Sequence, residues 1–363
     1  NNMETSYIFK EFFDRTLNSN NYDSRSSNRF VDNSERENYL FNTTINGIEK
    51  SDLIFLIGSN PRLEATILNA RIRKSFINNN TKIISLNEIG DLTYSYKFLD
   101  GQTKTLVEIF EGQHEISKEI TNSKNPSIIL GESFFKSQSA NFIFNLIKKY
   151  LKENNKISNE WNPINTLSVD ASTVGNLDLN IINNKNNLFN EINEHKFDVI
   201  YLLGQDSLNF SKKDEFIIYQ GSHGDKGAEI ADIILPGAAY TEQNGYFTNL
   251  EGKLQKSYKA SYPPGNAKED WQIINELAEF MNNRKLFNDK DELDSSMFNY
   301  INLQKKNADF SQIKKHTIEN FKNEELKVNY KDYYFSNVIA RSSKTMLDCH
   351  NAKLDIKRTG TDG

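Results

Sequence analysis

The sequence predicts an α/β protein built of two Rossmann-like parallel-sheet units, followed by a polar C-terminal extension. Three observations predict it. Leu53-Ile-Phe-Leu-Ile57 is a continuous apolar run, too short for a helix and closed by Gly58; such runs mark strands buried on both faces of a parallel sheet. The same strand-then-glycine pattern returns at Pro126–Gly131 and at Phe197–Gly204. Between these runs lie apolar stripes at helical spacing, which supply the crossovers that parallel strands require.

Taken in order, the first ~40 residues are polar, with Ser, Asn and charge concentrated from Arg25 to Asn38 and a short helix expected near Tyr7–Leu17. After the strand at Leu53–Ile57, Ser59-Asn60-Pro61 opens a helix: Asn60 is a favoured N-cap, and proline suits a first turn whose N–H has no partner. Leu68, Ile72 and Phe76 share one face of that helix, expected to end near Phe76, which sets Arg71, Arg73 and Lys74 at its C-terminal dipole end. Lys82–Leu86 supplies the next strand and Ala140–Leu151 a further helix. The polar run Asn183–Asn187 separates the halves. In the second half, Phe216–Tyr219 and Ile233–Leu235 are short strands, and a helix over Glu269–Met281 carries Trp271, Ile274, Ala278 and Met281 on one stripe. This divides the chain into a lead-in (1–40), a first α/β unit (41–185), a second (186–285) and an extension (286–363) with a disordered end.

Composition excludes several classes of function. The 363 residues carry a net charge of −5 with acids and bases well mixed, so no basic stripe offers itself to a nucleic acid. No apolar run approaches the ~20 residues of a membrane span. A single cysteine, Cys349, excludes a disulfide framework and an iron–sulfur cluster, which takes four thiolates or, in a Rieske centre, two. The five histidines never fall at ligand spacing on one helix face. Asparagine runs such as Asn78-Asn79-Asn80 read as codon bias rather than linker or prion-like function. The N-terminal Asn1-Asn2-Met3-Glu4 lacks the marks of a signal or transit peptide. It fits a processed chain, one made inside an organelle, or part of a longer subunit.

Three stretches are dense in chemistry-bearing residues. Gly58-Ser-Asn-Pro-Arg62 sets free backbone N–H groups and a helix N-terminus at the sheet's C-terminal edge, the physics of an anion site, although any tight strand-to-helix turn looks similar. Tyr219–Gly227 places three glycines with His223 and Asp225 just after a strand. These two could be a general base and its orienter, or two metal ligands. The simpler reading is hydrogen bonding that ties down a glycine-rich turn, since no third ligand or nucleophile is near. Asp232–Pro236, with Glu242, Gly245, Asn249, Glu251-Gly252 and Gln255, is glycine-rich enough for backbone to approach a ligand or another chain closely.

This last stretch resembles the signature of the molybdopterin oxidoreductase superfamily. More narrowly, Tyr39–Gly47, Gly58–Arg62 with Asn69–Ser75, Gln220–Gly227, and Tyr333 with Arg341–Met346 resemble the large iron–sulfur subunit of mitochondrial respiratory complex I. The likeness runs from Tyr39 to Met346 and is to the C-terminal, molybdopterin-oxidoreductase-like portion. The cysteine-rich motifs of that family's N-terminal half are not in this chain. The resemblance implies two units of the molybdopterin oxidoreductase type without a molybdenum cofactor, with Gly58, Asn60, Pro61, Arg62, Gly221, His223 and Asp225 as vestigial loop positions. It implies no catalytic or metal-binding residue in this chain. Two departures fit loss of the cofactor. The second loop, Gly204-Gln-Asp-Ser207, lacks the Asn-Pro of the first, and Lys253 stands where active relatives usually carry Arg, whose planar fork suits phosphate. The expected role is a non-redox structural part of the complex's NADH-oxidising arm, in the mitochondrion, on the matrix side of the inner membrane. Its expected partners are the cluster-bearing N-terminal half and other matrix-arm subunits, which would hold the iron–sulfur clusters and flavin; nucleic acid and a direct membrane span are not expected. The alternative is a cofactor-binding fragment of an active molybdopterin-dependent oxidoreductase.

Overall fold

A computed structural model describes residues 1–183, 188–307, 321–330 and 332–354. Most of the separator run 183–187, and the tail end expected to be disordered, lie outside the described residues.

The first unit is a five-stranded sheet in the order β3-β2-β1-β4-β5, formed by β1 (Leu53–Ile57), β2 (Lys82–Ser85), β3 (Lys97–Phe98), β4 (Pro126–Leu130) and β5 (Ile164–Thr166). All its pairings are parallel, with Leu53 opposite both Lys82 and Pro126. Alternation along β1 sends Leu53, Phe55 and Ile57 into one core, under Ile109, Phe144 and Ile147. Ile54 and Leu56 enter another, under Ile48, Leu68 and Ile72. A strand with a core on each face has no polar position, which is why its sequence is a continuous apolar run.

The second unit is a three-stranded parallel sheet of β6 (Val199–Leu203), β7 (Phe216–Gly221) and β8 (Ile233–Pro236) in that order. An antiparallel hairpin, β9 (Gly245–Thr248) and β10 (Leu254–Ser257), follows it. The helix Asp270–Asn282 buries Ile274 and Ala278 fully, but Met281, expected on the same stripe, is 49% exposed.

The lead-in is a structural element rather than a loose arm. Its helix begins earlier than expected, at Met3, where the Asn2 side chain accepts from Thr5 N at 2.8 Å, and it passes into a π-turn over Phe12–Leu17. Met3, Ile8 and Phe12 share a core with Ile274, Leu293, Met297 and Ile301, so the start of the chain and the helix Lys290–Asn307 wrap the second unit together.

The helix expected over 60–76 is two helices. A four-residue turn, Pro61–Glu64, ends at Ala65, whose backbone is neither helical nor extended, and a longer helix runs Thr66–Asn79 to a left-handed Asn80. The later end puts Arg71, Arg73 and Lys74 in mid-helix instead of at a dipole terminus. Arg71 and Lys74 pair with Glu49 instead, at 2.5 and 2.7 Å.

Candidate functional site

Ligands of open parallel sheets sit at the C-terminal strand ends, so the geometry of interest is at the ends of β1, β4 and β7. Gly58, with φ +64°, donates its N–H to Asn87 Oδ1 at 3.2 Å. Ser59 and Asn60 are buried, and neither Ser59 Oγ nor Asn60 Oδ1 has a partner among the described residues. Asn60 does not cap the turn with its side chain, as expected from sequence, because its Nδ2 is committed to Ile89 O at 2.9 Å. Glu64 does the capping, its carboxylate accepting from Asn60 N at 2.6 Å. Arg62 points outward to Asp91 at 2.6 Å. The helix is one turn long, and the Glu64 carboxyl sits at its start on the N–H of the Asn60 cap, an arrangement that does not favour an anion there.

Burial, with a smaller contribution from Glu132, pushes the Glu64 carboxyl up to about 7 against the opposing bond from Asn60. Because the folded chain prefers this group protonated, its contribution to stability is full at low pH and is lost as pH rises from the ordinary glutamate range through 7. Glu64→Gln should flatten that dependence and stabilise the chain by about 1–2 kcal/mol at pH 8, allowing for partial solvent screening. Denaturation midpoints of both proteins at pH 5 and pH 8 check it; parallel pH profiles would refute it.

The edge beside Gly58 is filled by the chain itself. Residues 321–330 form a strap across it: Leu326 N donates to Gly101 O at 2.8 Å, Thr103 N to Glu324 O at 3.0 Å, Lys322 N to Ser139 Oγ at 2.9 Å and Asn329 N to Ser133 Oγ at 2.9 Å. Asn87 joins strap to loop, accepting from Gly58 and donating through Nδ2 to Leu326 O. The Leu326 side chain is 4% exposed and reaches the open side of Gly58.

At the second edge, His223 and Asp225 turn to different partners. His223 Nδ1 bonds Ser222 Oγ at 2.9 Å, and its carbonyl accepts from Tyr219 OH at 3.2 Å. Asp225 accepts from Lys226 N at 2.8 Å and from Arg341 Nε at 2.6 Å. Arg341 also lies 3.6 Å from Asp206, a residue of the Gly204–Ser207 loop, whose carboxyl burial pushes up against bonds from Tyr219 and Gly227. Both His223 and Asp225 thus brace a turn, and among the described residues no group of three His, Cys, Asp or Glu could hold a metal. A half-open cavity of about 390 Å³ adjoins, lined by Gly221, His223, Gly237, Glu242 and Asn266.

The signature residues after β8 also bond within the chain. Glu242 accepts from Ala239 N at 2.9 Å, Glu251 from Ile45 N at 2.6 Å, and Asn249 Oδ1 from Glu251 N and Lys253 N at 3.0 and 2.9 Å. Gln220 and Gln243 converge on buried Asp270 at 2.9 and 2.8 Å. Arg36 forks onto Asp178 at 2.7 and 2.8 Å and reaches Gly252 O at 2.9 Å. Sequence reading missed the strap, Asn87, Asp206 and the Arg36–Asp178 fork. The one signal available for Arg341 was its place in the C-terminal motif.

Comparison with known proteins agrees with this architecture. The family profile described as molybdopterin oxidoreductase matches residues 1–280, and the profile for the C-terminal region of the NADH-ubiquinone oxidoreductase G subunit matches 298–349. The chain is 37% identical over 370 residues to the NADH-ubiquinone oxidoreductase 75 kDa subunit of Reclinomonas americana, covering 96% of this chain and 53% of that one. It is 36% identical over 342 residues to the mitochondrial 78 kDa subunit of Candida albicans, covering 86% and 45%. To the G subunit of the NADH-quinone oxidoreductase of Rickettsia typhi it is 38% identical over 371 residues, covering 98% and 52%. The chain thus spans about half the length of the relatives it matches.

Proposed function

This chain belongs to the molybdopterin oxidoreductase family, and from that membership we propose that it is a non-redox structural part of the NADH-oxidising arm of respiratory complex I. The observation that carries the proposal is the match to 75 and 78 kDa subunits over 86–96% of this chain and only 45–53% of theirs. Its role is to hold and shield cluster-bearing domains carried on another chain or on a missing N-terminal part, with iron–sulfur clusters and flavin in those partners. Tunnelling between clusters needs fixed spacing, and a rigid α/β body with cores on both faces of its main sheet suits that task. Among the described residues no helix is long and apolar enough to cross a membrane. A matrix-side position at the mitochondrial inner membrane fits relatives whose names include a mitochondrial subunit.

The residues at the first edge do not fit a pterin dinucleotide. The Leu326 side chain and Phe134 stand against Gly58, so the turn is closed to an approaching phosphate. This supports a scaffold over a fragment of an active molybdopterin enzyme. The unpartnered Ser59 Oγ and Asn60 Oδ1 are the observation that favours that second reading. Depleting the chain should abolish the assembled arm on a native gel stained for NADH dehydrogenase; an arm of normal size and staining would overturn the proposal. Stoichiometric molybdenum or tungsten in the purified assembly would favour the alternative.

A further inference from the structure

Parallel sheets are covered on both faces, because their crossovers lie over each. The central strands β1 and β4 of the first sheet obey this rule, and the second sheet does not. On one face of β6 and β7, Ile200, Leu202, Ile217 and Tyr219 are at most 7% exposed. Pairing of Val199 with Phe216, of Tyr201 with Ile218 and of Ile218 with Ile233 fixes what shares the opposite face. Near the C-terminal strand ends that face is covered: Tyr201 meets the Phe9 ring at 5.1 Å, and Gln220 bonds Asp270. Toward the strand starts it is bare, leaving Val199 56%, Phe216 42% and Ile233 46% exposed, one large apolar side chain from each of the three strands. Single exposed apolar residues are ordinary, and β8, an edge strand, also exposes Ile234 on its other face, but Val199 directly opposite Phe216 with Ile233 diagonal to it makes a cluster that marks an interface.

We propose that this bare face is the seat of the polypeptide that corresponds to the half of the relatives this chain does not match. Relatives of about twice this length supply a body of that size outside the structure, since the match covers only 52–53% of two of them. The cover required is apolar and must lie over strand starts, away from the cavity and the strap. The proposal rests on the reading above for what that polypeptide carries, but not for where it sits.

The test uses the full chain, affinity-tagged and purified from its own source, with co-purifying polypeptides identified by mass spectrometry. The parent should bring down, in stoichiometric amount, a polypeptide that aligns with the unmatched half of the relatives. Phe216→Asp combined with Ile233→Asp should lower its recovery roughly tenfold or more, with the thermal melt of the free chain unchanged. In a Cys349→Ser background, the thiol introduced by Phe216→Cys should react with maleimide roughly tenfold more slowly in the assembly than in the free chain. Equal reactivity in both, undiminished recovery with the double variant, or a second copy or unrelated protein as the stoichiometric partner would overturn the proposal. A partner of the expected alignment in an assembly without NADH dehydrogenase activity would leave this surface standing and defeat the complex I reading. Normal activity with an uncovered face would do the reverse.

Discussion

Gly58→Ala should destabilise the chain by roughly 2–5 kcal/mol. Two costs add. The backbone at φ +64° is left-handed, and a β-carbon there would stand 2.5 Å from Phe134 N and 2.9 Å from Phe134 Cβ. Backbone cannot swing aside as a flexible side-chain tip can, so the first sheet's edge or the following turn must move. Gly112→Ala is the control: φ is +82° but nothing lies within 4 Å, so only the conformational cost of about 1–2 kcal/mol remains. Denaturant midpoints for the two variants, with unchanged slopes, would show the difference. Equal losses would mean that the close approach to Phe134 is relieved without cost.

Asp178→Ala should cost about 2–4 kcal/mol, because it strips a half-buried guanidinium of a forked partner and leaves Tyr39 OH without its acceptor at 3.0 Å. Burial, and next the Asp178 charge, keep the Tyr39 phenol protonated far above its ordinary range, so the hydroxyl stays a donor. The Asp178 side chain is 5% exposed and Arg36 27%, which sets the cost above that of a surface pair. Arg36 retains Gly252 O at 2.9 Å, which holds the loss below the full penalty of an orphaned charge. A double-mutant cycle with Arg36→Ala should return a coupling of about 1–3 kcal/mol that survives ~0.5 M salt. Coupling near zero would reduce the fork to a surface contact.

How much of this was legible in the sequence depended on what held each element. β1 could be read because two cores leave a strand no polar position, and β4 because its single polar residue, Ser127, stands at its start beside Ser51 and leaves an apolar run behind it. β5 could not: it is three residues long, and its central Asn165 is buried for a hydrogen bond to Thr43. The strands of the second sheet read like those of the first, since an apolar run looks the same whether its cover is present or elsewhere. Asn60 has the right type for a cap, but a tertiary bond to Ile89 O outweighed the local preference. His223 and Asp225 were legible as turn braces. Arg341, the partner of Asp225, lies 116 residues away, and no local pattern announces it. The strap was invisible for a further reason: it binds largely through backbone groups, which every sequence possesses.

That strap also sets a timetable. Thr103 and Glu324 are 221 residues apart, so on a chain made at ~5–20 residues per second the first edge waits roughly ten to forty seconds for its closure. Once β5 has emerged, the first sheet has its strands and lacks only the strap's share of its core, while the socket for Leu326 faces solvent. The helix Lys290–Asn307 must emerge before the strap, and its burial of Met297 and Ile301 closes the core of the second unit first, while Arg341, which braces that unit's edge, comes after the strap. Closure of the first unit therefore follows closure of the second unit's core, and a chain released short of Leu326 would leave an apolar socket open to chaperones and proteases.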